Sequence, residues 1–168
     1  MSSHPPIADL ADRLARAQAA TRAREVDALL VSPGPDLRYL TGYDAIPLER
    51  LTCLVVPADG DPTVVVPFLE AAAAKASPVG DLGLEILTWQ ELDDPYALVA
   101  SLLPARGVAA LDNHMWAEKV LALRAAMPEV EQMLAGSVLR ELRMRKSPDE
   151  VEALRRAGAA IDRVHARV

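Results

Sequence analysis

Five short strand-like runs, at residues 28–31, 51–56, 63–66, 84–88 and 108–111, and a further edge strand at 130–134 are separated by stretches with helical spacing. That alternation of strand-length and helix-length segments restricts the chain more than any other feature. It predicts an α/β fold with helices on the faces of one sheet. Asp59-Gly60 lies between two of the runs and predicts a hairpin. The sheet is therefore expected to be mixed but mostly parallel. Pro57, Pro62 and Pro67 fall at the ends of runs, where they interrupt no ladder.

Helices are expected at five places between the runs. The first runs from Ile7, with Leu10, Leu14 and Ala17 on one face. A short turn over 36–40 is expected to be capped by Asp36 and closed at Gly42. The others cover 68–75, 95–103 after the Asp94-Pro95 start, and 115–126 between an Asn113 cap and Pro128. A further short helix is expected over 137–143.

With 168 residues, 51% apolar and 25% charged, the chain is long enough for one cored domain. Its net charge of -6 argues against nucleic-acid or anionic-membrane partners, which call for basic patches. Cys53 is the single cysteine, so no internal disulfide can form, and a reducing, cytoplasmic setting is expected. Residues 1–6 read as a disordered polar tail without signal-peptide character, and no run is long enough to span a membrane.

The strongest local signal is Ser147-Pro148-Asp149-Glu150. Serine at the N-cap, proline at N1 and glutamate at N3 make a capping box. The helix that follows carries Val151, Leu154, Ala157, Ile161 and Val164 as one apolar stripe, with His165 packing at its edge. Such a stripe needs a cover, and residues 137–168 are expected to be a linker plus the first helix of a missing catalytic domain. Residues 7–136 form the domain before it.

Two segments resemble the creatinase / prolidase / aminopeptidase P family, the pita-bread Xaa-Pro peptidases. The junction R-x-x-K-S-P-x-E-x-x-x-L-R-x-A, from Arg143 to Ala157, is similar to the family's link between its two domains. Asp27-Ala28-Leu29-Leu30-Val31, followed by Tyr39-Leu40-Thr41-Gly42-Tyr43, resembles the front of its N-terminal domain. The resemblance covers essentially the whole chain and implies a ribonuclease H-like N-terminal domain. It implies a parent enzyme with two divalent metal ions (Mn, Co or Zn), acting on peptides with proline at the second position and assembling as a homodimer. The family's metal ligands are two Asp, one His and two Glu, all beyond the junction. Asp149, Glu150, Glu152, Asp162 and His165 share one helix and cannot converge on two metals, so no metal ligand or catalytic residue is assigned to this chain.

The same resemblance points to the loop Tyr39 to Arg50 as substrate-adjacent. In creatinase-like members an aromatic and an arginine two positions apart help hold substrate, and counting from Gly42 places Leu48 and Arg50 there. A guanidinium suits bidentate grip of a carboxylate. The alternative for Arg50 is a solvated residue before a strand, and for Tyr39 a core tyrosine bonded to backbone. Leu48 departs from the aromatic, which ranks creatinase-like C–N hydrolysis below dipeptidase and aminopeptidase activity. His114 follows a strand end beside Asp112 and Asn113, where α/β folds place functional groups, or is part of a plain capping turn. Cys53 in its apolar run reads as inert, and no nucleophile elbow or phosphate loop is present. The expected role is that of a non-catalytic domain serving dimerisation and substrate-site closure. The other reading is a free-standing binding or oligomerisation module derived from such an enzyme.

Overall fold

The computed structural model describes residues 5–166; the tail expected at 1–6 lies partly outside them. Helix α1 (Ile7–Arg22) leads into β1 (Ala28–Val31), α2 (Pro35–Thr41), β2 (Cys53–Pro57) and β3 (Thr63–Pro67). A 3₁₀ turn (Phe68–Glu70) then opens α3 (Ala71–Ala76), followed by α4 (Pro78–Asp81), β4 (Glu85–Trp89) and α5 (Pro95–Ala100). The remainder is β5 (Gly107–Leu111), α6 (Ala117–Ala126), β6 (Val130–Leu134), α7 (Gly136–Met144) and α8 (Pro148–His165).

The strands form one sheet in the order β4-β3-β2-β1-β5-β6. β1–β5, β5–β6 and β3–β4 pair in parallel, while β2 is antiparallel to both its neighbours. The sheet is thus mixed and mostly parallel, with β2 alone reversed by the hairpin at Gly60. Both faces are covered. Leu29, Val31, Leu54, Val56, Val64 and Val66 pack with Leu14, Leu37 and Leu139 on one side. Leu30, Cys53, Val55 and Val65 pack with Val99, Leu123 and Met127 on the other. Burial on two sides is why these strands read as continuous apolar runs rather than alternating ones.

Local chemistry sets several ends. Gly42 adopts φ 71° as it closes α2, and its N–H donates to the Arg38 carbonyl. Asp94 accepts from the N–H groups of Tyr96 and Ala97 at the start of α5. At α8, Ser147 accepts from the Glu150 N–H at 3.2 Å and Glu150 Oε2 accepts from the Ser147 N–H at 2.8 Å, completing the capping box. The stripe of α8 is open to solvent, with Leu154, Ile161 and Val164 all exposed. No described helix is long and apolar enough to cross a membrane.

Four expectations are corrected. Asp36 is not a cap: Gly34 holds that position without a side-chain bond, and Asp36 is buried against the Arg143 guanidinium from α7. Asn113 is not one either, because α6 starts later, after Trp116, and the Asn113 amide packs beside Gly136. The helix after Asp94-Pro95 ends at Ala100, and Leu102 and Leu103 continue only as tight turns. Finally, α4 forms where the sequence showed none, started by Ser77 accepting from the Val79 N–H.

Candidate functional site

The carboxyl ends of β3, β4 and β5 and the entrance to the reversed β2 meet at one end of the sheet. Ligand sites of open α/β sheets gather at such an end. Here the loop before β2 carries Ile46, Leu48 and Arg50, the turn after β3 carries Phe68 and Leu69, the turn after β4 carries Leu92, and Trp116 follows β5. All six apolar side chains among these are exposed, Leu92 completely.

Arg50 does not reach freely into solvent. Its Nη2 lies 2.9 Å and its Nε 3.2 Å from Glu91 Oε1, across a hollow lined by Phe68, Leu69, Trp89 and Leu92. The Trp89 indole N–H donates to the Leu51 carbonyl at 2.9 Å, fixing the chain just after Arg50. The amine of Lys119 in α6 donates to the Leu48 carbonyl at 2.6 Å and to the Arg50 carbonyl at 3.1 Å. The same amine sits 5.0 Å from the Trp116 ring centre. Burial pushes Lys119 below the ordinary lysine value, against the opposing influence of Cys53, Glu118, Glu49 and Glu70.

Leu48 and Arg50 are therefore brought together, on one anchor. Tyr39 lies elsewhere. Its hydroxyl donates to the Leu142 carbonyl at 3.1 Å, its carbonyl accepts from Arg13, and the Arg13 guanidinium stacks 4.5 Å from its ring centre. That places it in a cleft of about 710 Å³ between α1 and the start of α8, where Arg13 also pairs with Glu150 at 2.9 Å. His114 is exposed, with Nδ1 3.4 Å from Asp112 Oδ1. It lies between a groove shared with Tyr39 and a smaller hollow shared with Pro47, Trp116 and Lys119.

Asp112 has several partners: Oδ2 accepts from the Ser32 hydroxyl at 2.9 Å, and Oδ1 from the His114 N–H at 2.8 Å. Asp36, Asp112 and His114 bring ligand-type atoms within 4.8 Å of one another. They do not fit the two-metal centre of a hydrolase. Three donors are too few, and the Arg143 cation already occupies Asp36. Cys53 is buried with its thiol pushed up to about 12, mainly by desolvation, so it is not a nucleophile. The arrangement at the sheet end sets one guanidinium, paired with Glu91, among exposed apolar side chains.

Lys119 escaped the sequence reading, yet a signal was present. Met115, Lys119, Leu123 and Met127 recur at four-residue steps and all are buried. A lone lysine inside an apolar stripe marks a specific acceptor nearby.

Comparison with known proteins agrees with this architecture. The Creatinase/Prolidase N-terminal domain family matches residues 13–145. The probable dipeptidase PepE of Mycobacterium tuberculosis (strain ATCC 25618 / H37Rv) is 51% identical over 159 residues, which cover 94% of this chain and 42% of that protein. The Xaa-Pro dipeptidase of Lactobacillus helveticus is 30% identical over 145 residues, 81% of this chain and 38% of that one. The crystal structure of dipeptidase PepE from Mycobacterium ulcerans superposes with a TM-score of 0.94 at 49% identity, covering 99% of this chain and 45% of the other. The chain thus spans about two fifths of the length of the curated relatives it matches. With the matched segment running from α1 to the end of α7 and the six-stranded sheet inside it, the chain belongs to the creatinase/prolidase N-terminal domain family.

Proposed function

We propose that this is the non-catalytic N-terminal domain of a Xaa-Pro dipeptidase- or aminopeptidase-like metallohydrolase. It serves homodimerisation and shapes the substrate site, presenting Leu48 and Arg50 to a peptide with proline at its second position. The observation that carries this reading is the group of exposed apolar side chains around Arg50 at one end of the sheet. Exposed apolar groups gathered around one fixed cation suit a contact surface that also meets a carboxylate. In this reading the metal ions (Mn, Co or Zn) belong to the catalytic domain that α8 begins, and Asp36, Asp112 and His114 hold no pair of them. A cytoplasmic setting is consistent with the single, buried Cys53.

The test uses the longer protein that carries this domain, assayed with Mn or Co on Xaa-Pro dipeptides. Arg50→Ala is expected to raise KM about tenfold with kcat little changed, as for loss of a substrate carboxylate contact. Leu92→Glu is expected to weaken the dimer in sedimentation equilibrium. Unchanged KM and unchanged assembly together would overturn the reading.

A further inference from the structure

The loop before β2 is poorly tied by its own backbone. Among the described residues, no backbone–backbone hydrogen bond involves residues 44–50. Its side-chain ties are Arg38 with Asp44 at 3.3 Å and Arg50 with Glu91, both at the surface. Exposed pairs of this kind hold little. The buried tie is Lys119, whose single amine is shared by the carbonyls on either side of Glu49, where the chain bends.

A lysine at this place is costly. Its neighbours in the stripe, Met115, Leu123 and Met127, are apolar, and residue 119 is 3% exposed. No carboxylate among the described residues pairs with it. A buried ammonium without an ion pair persists only when its donors are satisfied by well-placed acceptors. Leu48 and Arg50 supply two carbonyls, and the Trp116 ring supplies a π face. A methionine could fill the same space but could hold neither carbonyl.

We propose that Lys119 is a positioning residue for the substrate-facing loop: its grip on the carbonyls of Leu48 and Arg50 sets where those two side chains stand. The proposal rests on the reading of that loop as substrate-adjacent. In that role Lys119 need touch no substrate. It acts through backbone alone, so it works whatever side chain occupies position 48.

The chain has three lysines, Lys75, Lys119 and Lys146, which makes the test direct. In the 168-residue protein, the Lys119 ammonium should give a distinct, slowly exchanging ¹H–¹⁵N signal, while Lys75 and Lys146 exchange with water. Lys119→Met should lower the backbone order parameters of residues 44–50 from about 0.85 to below about 0.6, leaving β1, β2 and β5 unchanged. In the longer enzyme the same variant should raise KM about tenfold, matching Arg50→Ala, with kcat within about twofold. An averaged Lys119 signal, or a loop equally rigid in Lys119→Met, would overturn the proposal whatever Arg50 does. A loosened loop with unchanged KM in Lys119→Met, beside a raised KM in Arg50→Ala, would overturn it as well. A loosened loop with KM unchanged in both variants supports the anchoring and refutes the substrate reading.

Discussion

The carboxylate of Asp27 fills the space a β-carbon on residue 107 would need: a Cβ built on Gly107 would lie 2.1 Å from Asp27 Oδ2. The same carboxylate accepts from the Val108 N–H at 2.7 Å, tying the start of β5 to the residue before β1. Gly107 also holds φ 147°, a conformation other residues rarely adopt. Gly107→Ala should therefore cost about 3 kcal/mol, from backbone strain and a displaced, half-buried acceptor together. Urea unfolding monitored by circular dichroism measures it; a loss below about 1 kcal/mol would contradict this account.

Lys119 should also leave a mark on stability against pH. Its value is lowered in the folded chain by desolvation, so between that lowered value and the ordinary 10.5 the unfolded chain binds more protons at this site. Stability from this residue consequently rises with pH through that window and is flat above it. Tyr43 and Tyr96, both raised by burial, titrate alike in wild type and variant and cancel in the difference. The stability of wild type relative to Lys119→Met should thus grow from neutral pH towards pH 10. A difference that stays level would mean the amine is as well solvated folded as unfolded.

Cys53 should be silent in the native protein. A thiol at about 12 and fully buried offers neither thiolate nor access. Iodoacetamide at pH 8 is expected to modify it only as fast as the chain unfolds, with full labelling in urea. Fast labelling without denaturant would show that the face under α5 and α6 opens locally.

Glu150 has two duties, and its removal should separate them. One oxygen closes the capping box and the other pairs with Arg13, joining α8 to α1. Glu150→Ala should fray the first turn of α8 at a cost of about 1 kcal/mol. It should also broaden the distance distribution between spin labels on α1 and α8, whereas Arg13→Ala should broaden it without fraying. Narrow distributions in both variants would mean that packing of α7 alone aims the last helix.

The contrast between what the sequence told and what it concealed follows contact range. The capping box at Ser147, the αL end at Gly42 and the apolar runs of the strands depend on neighbours within a few residues, so they could be read directly. Asp36 misled because its position one residue after Pro35 suits a helix start, while its partner Arg143 lies 107 positions away. Asn113 misled for a similar reason, its amide being spent beside Gly136. In the site, Leu48 and Arg50 were named from the family pattern, but the residues that fix them, Lys119, Glu91 and Trp89, come from other elements and needed the folded chain. Tyr39, named alongside them, stands apart from that pair, bonded into the α7 junction, while His114 lines a hollow with Pro47, Trp116 and Lys119.

The reversal of β2 has one more effect. Because β2 alone runs against the sheet, residues 44–50 lead into a strand at an end where neighbouring loops lead out of strands. Their span is pinned at Gly42 on one side and, from Leu48 to Leu51, by Lys119 and Trp89 on the other, and no ladder bond falls between. Residues inserted or deleted there would be absorbed between two fixed points without shifting the register of any strand. The segment before Leu48 can thus change in length and sequence over an unchanged core.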